Sequence, residues 1–228
     1  MPRKYKGKSK RKYKPRYRRG LQLTRQMGNG PTSKSQITKL TFSEQIALDP
    51  GTGLIASATY NAGSCFDPRV NLGGGQPRGF DQWMAFYSHF VVLGSKITCT
   101  YQTTGLQPSD GNGIVGIYLK AGSVSELLTI PDLVENPNTV HKPVGPVGGY
   151  NSTAIVSKTY SAKRFLGRES VLSDPALKGS STADPTESAF YEIAVGPSST
   201  GDNLGSVRVL VEIEYIVAFI EPKNLSAS

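Results

Sequence analysis

The sequence is poor in the side chains from which most catalytic and metal sites are built. Its 228 residues include only two histidines, His89 and His141, and two cysteines, Cys65 and Cys99. It contains no Gly-x-Ser-x-Gly elbow, Cys-x-x-Cys pair, His-Glu-x-x-His motif or phosphate-loop sequence. Each histidine is therefore interpreted as a structural or surface residue. We expect no enzyme activity, no cofactor and no metal.

Long apolar runs are also missing. No stretch reaches the roughly 18 apolar residues of a membrane-spanning helix. The most apolar segment, 207–220, contains Arg208, Glu212 and Glu214. The start of the chain lacks the apolar run of a secretory signal. We therefore expect no membrane partner, and we expect the two cysteines to be buried, reduced thiols rather than a disulfide.

Negative charge is absent from the beginning of the chain. Residues 1–20 contain eleven Lys and Arg residues and no Asp or Glu, and the first acidic residue is Glu44. The whole chain has 26 basic and 17 acidic residues, so fifteen basic residues face seventeen acidic ones after residue 20. A nearly neutral body thus follows a cationic arm. With its Gly- and Pro-containing linker, this arm spans residues 1–34.

The arm has the composition of a nucleic-acid-binding segment. Its like charges repel one another and it has no apolar face, so we expect disorder until a polyanion neutralises it. Tyr5, Tyr13 and Tyr17 can stack on unpaired bases, at about 1–3 kcal/mol each. Phosphate contacts are predicted for its eleven cations, which are Arg3, Lys4, Lys6, Lys8, Lys10, Arg11, Lys12, Lys14, Arg16, Arg18 and Arg19.

Part of the same arm fits a nuclear-import signal. Lys8, Lys10, Arg11 and Lys12 form a dense basic cluster of the kind that import receptors bind, and this role is compatible with nucleic-acid binding. The alternative for the whole arm is a solvated basic tail that only aids solubility or import.

Residues 35–228 have the length of one domain and the pattern of an all-β fold. Apolar residues alternate with period two, which predicts strands at 37–48, 54–60, 89–103, 114–119, 153–161, 189–195 and 207–219. The last strand is expected to be central in its sheet. With one further, poorly marked strand in the Ser-, Asp- and Pro-rich loop 170–187, the pattern predicts a single eight-stranded jelly roll, a two-sheet sandwich with long loops and two or three short helices. Composition alone does not separate it from other β-sandwiches.

Two aromatic-rich segments predict core contacts. Phe80, Trp83, Met84 and Tyr87 have helical spacing, so a short helix over 80–88 should anchor the core with its aromatic face. In the following strand, one face is predicted to carry a run of apolar residues, namely Val91, Leu93, Ile97, Cys99 and Tyr101.

Three further segments are predicted from local signals. Ser125 is predicted to cap a helix over 126–130, and 131–150 is predicted to be a long surface loop that includes His141. A small basic cluster is expected from Lys163, Arg164 and Arg168. Two loop aromatics, Phe66 and Tyr150, are candidates for exposed subunit contacts.

Several stretches resemble the capsid proteins of circular, Rep-encoding single-stranded DNA (CRESS-DNA, circovirus-like) viruses. The most specific part is Asp81-Gln-Trp, followed by Tyr87 and by Val-Leu-Gly-Ser-Lys-Ile at 92–97. Thr-Tyr-Ser-Ala-Lys-Arg-Phe-Leu-Gly at 159–167 is similar to the same family, as is 184–193. The basic N-terminus with its tyrosines fits as well, so the resemblance covers nearly the whole chain.

This resemblance implies a jelly-roll shell subunit, usually with about sixty copies in an icosahedral T=1 shell. The arm would face the interior, package a circular single-stranded DNA genome and direct import into the host nucleus during assembly. The implied partners are further copies of the chain, single-stranded nucleic acid, host import receptors and a cell-surface receptor. The implied location is the virion.

The residues leave other functions open. The arm recognises charge and base faces rather than the sugar, so a capsid protein of a small single-stranded RNA virus fits equally. A cellular nucleic-acid-binding protein with a basic extension is another alternative. A jelly-roll carbohydrate binder is the third, although Trp83 is the only tryptophan available for a sugar platform.

Overall fold

Strands form at all seven positions where the apolar alternation predicts them, and one more lies within the predicted loop 131–150 rather than in 170–187. The computed structural model describes residues 33–70, 75–104, 112–125, 127–149 and 151–224. The strands in these residues are β1 (Ser35–Leu48), β2 (Ala56–Asn61), β3 (Tyr87–Thr103), β4 (Gly113–Lys120), β5 (Thr139–Val144), β6 (Thr153–Ser161), β7 (Phe190–Pro197) and β8 (Val207–Pro222). Alternate side chains of β1, β3, β6 and β8 are buried, as expected when one face of a sheet contacts a core, whereas β4 and β7 are buried along most of both faces.

The strands form two four-stranded antiparallel sheets that pack face to face. One has the order β1-β8-β3-β6 and is called the open sheet here; the other has the order β2-β7-β4-β5 and is called the covered sheet. Every connection between consecutive strands passes from one sheet to the other, except the one from β4 to β5. This is the jelly-roll topology. The predicted fold class and the central position of the last strand, β8, are therefore confirmed.

Tyrosine hydroxyls join the two sheets across the core. Tyr101 of β3 donates to the Gly116 carbonyl of β4 at 2.9 Å. Tyr215 of β8 donates to a carbonyl of β2 at 2.7 Å, and Tyr191 of β7 donates to a carbonyl of β3 at 3.1 Å. All three rings are fully buried, so each hydroxyl needs such a partner to avoid an unsatisfied polar group.

The predicted aromatic helix is α1 (Phe80–Phe86), which leads directly into β3. The Phe80 ring meets the Phe90 ring edge-on at 5.2 Å. The Trp83 ring stacks on Phe219 of β8 at 5.6 Å. The prediction that this face anchors the core is confirmed.

The predicted common face of β3 is wrong because the strand contains a bulge. Its register with β8 shifts between Val92 and Gly94. Phe90 and Val92 therefore point into the main core, together with the later residues at odd positions, Ile97, Cys99 and Tyr101. Val91 lies on the opposite face, in a small separate cluster that Leu93 also contacts. One extra residue in one strand reverses the alternation.

The helix predicted over 126–130 lies elsewhere. Residues 127–129 are not helical, and α2 spans Ile130–Glu135. Thr129 accepts a hydrogen bond from the Asp132 amide, and the Asp132 carboxylate accepts one from the Thr129 amide. This reciprocal capping box is the stronger start signal, whereas the Ser125 hydroxyl donates to Glu192. The predicted loop 131–150 therefore contains α2 and β5.

The remaining helices are short. They are α3 (Ala162–Phe165), directly after β6, and a single 3₁₀ turn at Pro175–Leu177. The three short α-helices of the described ranges agree with the predicted two or three. None of the helices among the described residues is long and apolar enough to cross a membrane.

The two sheets differ on their outer faces. Residues of the β4–β5 connection, including Leu127 and Leu133, pack with Ala194 of β7 on the outside of the covered sheet. On the open sheet, the segment 166–180 packs Leu177 against Val91 and Ile220 only near the start of β3. The rest of that outer face is exposed or half-buried.

Candidate functional site

The predicted nucleic-acid-binding residues, 3–19, and the predicted import cluster lie outside the described residues. The described chain starts next to β1 with Ser33. The hydroxyl of Tyr87, the first residue of β3, donates to the Ser33 carbonyl at 3.0 Å. Tyr87 is buried, so the junction between arm and body is held where β1 and β3 begin. This end of the sandwich is called the arm end, and the opposite end is called the loop end.

Carboxylates neutralise five cations of the body. The ion pairs are Lys39 with Glu214, Arg69 with Glu44, Lys120 with Glu192, Lys178 with Glu221, and Arg168 with both Asp174 and Glu187. The predicted basic cluster is therefore wrong for Arg168, because two carboxylates bind its guanidinium. Lys163 and Arg164 lie exposed on α3 without an ion pair to any described residue.

One ion pair is buried beneath the cover of the covered sheet. The Lys120 ammonium lies 2.5 Å from the Glu192 carboxylate, and the two side chains are 1% and 0% exposed. Lys120 also donates to the Val124 carbonyl at 2.5 Å, and Ser125 donates to Glu192. Both charges thus have extra hydrogen bonds, as buried charges require. The group fixes the start of the β4–β5 connection to the sheet.

A second polar group closes the gap between the sheets beside β1. Glu44, which interrupts the apolar face of β1, accepts a hydrogen bond from Tyr60 at 3.0 Å and an ion pair from Arg69 at 2.5 Å. Burial, together with the Glu44 charge, raises the pKa of Tyr60. The phenol therefore stays protonated and the group is structural.

The residue pair that most resembles a nucleophile with a carboxylate lies after β2. Ser64 donates to Asp184 at 2.5 Å. Burial raises the pKa of Asp184, and the nearby Asp67 charge raises it further. Neither histidine belongs to the hydrogen bonds of this pair, so it lacks the base that activates a serine.

The cysteines are buried free thiols, which confirms the sequence prediction. Burial raises the pKa of both, that of Cys99 to about 12, and this disfavours the reactive thiolate. Across the described ranges, no group of three or more His, Cys, Asp or Glu side chains could hold a metal ion.

The histidines occupy different settings. His89 Nδ1 lies 2.8 Å from Glu221, whose other carboxylate oxygen accepts from Lys178 at 2.6 Å. This group joins β3, the end of β8 and the segment 166–180 at the arm end. His141 lies exposed on β5 rather than in the predicted loop.

One of the two candidate contact aromatics, Phe66, lies within the described residues. Phe66 is half-buried and packs on Phe80, with ring centroids 6.3 Å apart. Its prediction as an exposed contact is therefore wrong. Tyr150 lies outside the described residues.

Sequence reasoning missed the polar groups within the sandwich. In the sequence Glu44 stands out only as the first acidic residue, and its partner Arg69 lies 25 residues away along the chain. Lys120 ends one apolar strand and Glu192 interrupts another, and the two residues carry opposite charges. That coincidence is a usable signal for a buried pair, but only once the two strands are known to be neighbours.

Several solved structures are similar to this chain, all with low sequence identity. No protein-family model and no curated protein matches this sequence. A chain of turnip yellow mosaic virus has 13% identity and a TM-score of 0.44, with 88% of this chain and 89% of that chain covered.

The BFDV capsid protein is similar as well. Its 60-mer structure gives 14% identity and a TM-score of 0.42 over 85% of this chain and 98% of that one. Its decameric structure gives 10% identity and a TM-score of 0.44, with coverages of 82% and 99%. Similarity at this level does not establish a common family, so the jelly-roll assignment rests on the strand order.

Proposed function

We propose that the chain is a viral capsid protein that assembles into a small icosahedral shell and packages a nucleic-acid genome through its arm. The observation that carries the proposal is the separation of charge from fold. All eleven cations of residues 1–20 precede a jelly-roll body with fewer basic than acidic residues. A body of this kind supplies a container, and the arm supplies the attraction for a polyanion.

The amount of charge suits a small genome. Fourteen basic residues precede Glu44. About sixty copies in a T=1 shell would bring roughly 840 positive charges to the interior, enough to neutralise on the order of a thousand phosphates. Since residues from 44 onward have twelve basic against seventeen acidic residues, net charge favours contact with the genome through the arm.

The proposed cargo is circular single-stranded DNA, and assembly is proposed to occur in the host nucleus. Three tyrosines within the arm supply stacking surfaces that suit unpaired bases better than a duplex. The cluster at Lys8, Lys10, Arg11 and Lys12 would bind host import receptors. The preference for DNA over RNA rests on the resemblance of 79–97 and 159–167 to CRESS-DNA capsid proteins.

Deletion of residues 1–20 tests the division of labour. We expect the truncated protein to keep its fold, measured by circular dichroism, and to form shells without nucleic acid, measured by the 260/280 nm absorbance ratio. Normal nucleic-acid content in the truncated shells would contradict the role of the arm. Absence of shells from the full-length protein in electron micrographs would contradict the capsid function.

The nature of the cargo needs a separate measurement. Nucleic acid extracted from full-length particles should be digested by DNase and by a single-strand-specific nuclease, but not by RNase. RNase sensitivity would favour the capsid protein of a single-stranded RNA virus instead.

A further inference from the structure

β1 forms one edge of the open sheet and pairs with β8 alone among the described strands. At the end of β3, the Thr103 amide donates to Ser152 beside β6, and the Thr104 amide donates to Ser206 beside β8. Because the backbone groups of successive residues point to opposite sides of a strand, the even-numbered residues of β3 after its bulge bond to β8. In β8, the even-numbered residues therefore bond to β3 and the odd-numbered residues bond to β1.

Half of the backbone groups of β1 point away from the sheet. Its register places even-numbered residues opposite odd-numbered residues of β8, so the even-numbered residues make the bonds to β8. The N–H and C=O groups of the odd-numbered residues from 35 to 47 therefore form a free edge. Side chains of Ser33 and Gln36 donate to the first two of these carbonyls. No backbone hydrogen bond joins this edge to another described segment.

The other three edge strands are protected from pairing with a further strand. Residues 68–70 make backbone hydrogen bonds to the free side of β2. β5 is short and contains Pro143, and β6 carries Lys158 on its inner face. A covering segment, a proline and an inward charge are common protections of sheet edges. β1 is the longest edge strand and has no proline or bulge, and Arg69 neutralises its inward Glu44.

The sequence just before β1 has the pattern of a strand. Residues 2–20 contain no Leu, Ile, Val, Met or Phe, whereas 21–27 read Leu-Gln-Leu-Thr-Arg-Gln-Met, an alternation that only Arg25 interrupts. Gly-Asn-Gly-Pro at 28–31 is a turn signal. The six residue steps from 27 to 33 reach up to about 20 Å, and neighbouring strands lie about 5 Å apart. The segment can therefore return along the free edge of β1.

Both faces of such a strand would match those of β1. The outer face of β1 is a row of mostly polar side chains, which the segment would continue with Gln22, Thr24 and Gln26. On the inner face, Leu23 would lie beside Leu40 and Leu21 beside Phe42, and both of these β1 side chains belong to the main core. This register places Gln22 opposite Thr41.

The covered sheet already extends beneath this position. Residues 68–70 continue it beyond β2, so a strand beyond β1 would have a layer to pack on. The side chains of Arg69 and Glu44, which pair in this gap, are still 21% and 27% exposed. The added strand would cover them further. Arg25 would face inward as well, which is itself a protection of a new outermost strand.

We infer that residues 21–27 form a ninth strand that pairs antiparallel with the free edge of β1 in the same chain. Tethering favours this occupant over a second copy, because a short connection holds the segment at a roughly millimolar effective concentration. Residues 1–20 would then start beside the middle of β1 instead of at the arm end. The strand would also block edge-to-edge pairing between copies. The inference does not depend on the proposed capsid function.

Amide hydrogen exchange of the full-length protein tests the pairing, because alternate amides of β1 report opposite sides of the strand. Mass spectrometry with fragmentation to single residues measures it. In Leu21→Lys with Leu23→Lys, the outward amides of Lys39 and Thr41 should exchange about tenfold or more faster than in wild type. The Leu40 amide, which bonds to β8, should stay slow and so shows that the body remains folded.

A matched control separates the pairing from the added charge. Gln22→Lys with Thr24→Lys adds the same two charges to the outer face and should keep the outward amides within about threefold of wild type. Outward amides that exchange equally fast in wild type and the leucine variant contradict the pairing. Equal acceleration by the control contradicts the assignment of the faces.

Cross-linking distinguishes the same chain from a second copy. Gln22→Cys with Thr41→Cys, treated with a short bismaleimide, should give a product of one chain on a denaturing gel, since both native cysteines are buried. Gln22→Cys with Ala47→Cys, six residues further along β1, is the control and should give little product. A product of two chains assigns the edge to a second copy and overturns the inference, as does the absence of any product. Both measurements work on shells and on unassembled chains, so failure of the capsid function would leave their result unchanged.

Discussion

The open and covered sheets share one core but use their outer faces differently. The covered sheet is sealed on the outside by the β4–β5 connection, which packs Leu127 and Leu133 against it. The open sheet exposes rows of Thr, Ser, Gln and charged residues, except at the arm end. In a jelly roll, the inner faces of the two sheets form the main core. The cover therefore fixes the position of a long connection, while the open face remains available for contacts outside the chain.

The same residue types behave differently on the two sheets. Lys120 and Glu192 pair under the cover, whereas Lys39 and Glu214 pair on the open face with side chains 56% and 46% exposed. Water screens the exposed pair and solvates either partner when it is alone. The buried pair has no such alternative, since loss of one partner leaves a charge without solvent.

Breaking the buried pair should produce the largest change. We expect Lys120→Met to lower the free energy of unfolding by about 3–5 kcal/mol, because Glu192 would remain buried and uncompensated. Urea titration followed by tryptophan fluorescence measures the loss. Lys39→Met on the open sheet is the matched control and should give no measurable change. Equal losses in the two variants would contradict the distinction between the sheets.

Loosening the cover should have a smaller effect. Leu133→Ala removes a fully buried side chain between α2 and the covered sheet and should cost about 2–4 kcal/mol. Ile216→Ala on the outer face of the open sheet, where the side chain is 50% exposed, should cost about 1 kcal/mol or less. Thermal unfolding of both variants measures how much stability each outer face contributes. A larger loss of stability for Ile216→Ala would contradict the expected order.

The arm end of the open sheet should show the smallest, pH-dependent effect. Hydrogen bonds from Lys178 and then His89 lower the pKa of Glu221. Because the folded-state pKa lies below the unfolded value of about 4.3, this stabilisation is present above that value. It is lost as the pH falls through the folded-state pKa.

Glu221→Gln therefore should lower the thermal midpoint only slightly, by about 1–2 °C at pH 6–7. The difference from wild type should shrink below about pH 4 and with added salt. A difference in thermal midpoint that grows as the pH falls would contradict a lowered pKa of Glu221 in the folded protein. Gln keeps the size of the side chain, so the comparison isolates its charge.

Regular alternation made much of the fold predictable. β8 alternates from Val207 to Val217, and its length and apolar inner face indicated a central strand. The helix at α1 followed from its aromatic spacing. The helix near residue 130 was misplaced because Ser125 and Thr129 are both plausible caps, and only the second has a carboxylate three residues later that bonds back to it.

The functional surfaces were less predictable because they depend on pairing between distant strands. The charge of the arm is visible in the sequence, since it is local. The pairing of Lys120 with Glu192 is not visible, because it joins β4 and β7 across 72 residues of the chain. Arg168 shows the same limit, since its neutralising partner Glu187 is 19 residues away along the chain.

The bulge in β3 makes this strand sensitive to length rather than to composition. Before the bulge the even positions Phe90 and Val92 face the core, and after it the odd position Ile97 does. The single unpaired position between Val92 and Gly94 causes this change. Removal of that one residue would make the alternation regular along the whole strand. The aromatic start of β3 would then face outward, away from Phe80. A substitution at Leu93 therefore changes one side chain only. An insertion or deletion there moves the side chains of Tyr87 to Val92 to the opposite face of the sheet.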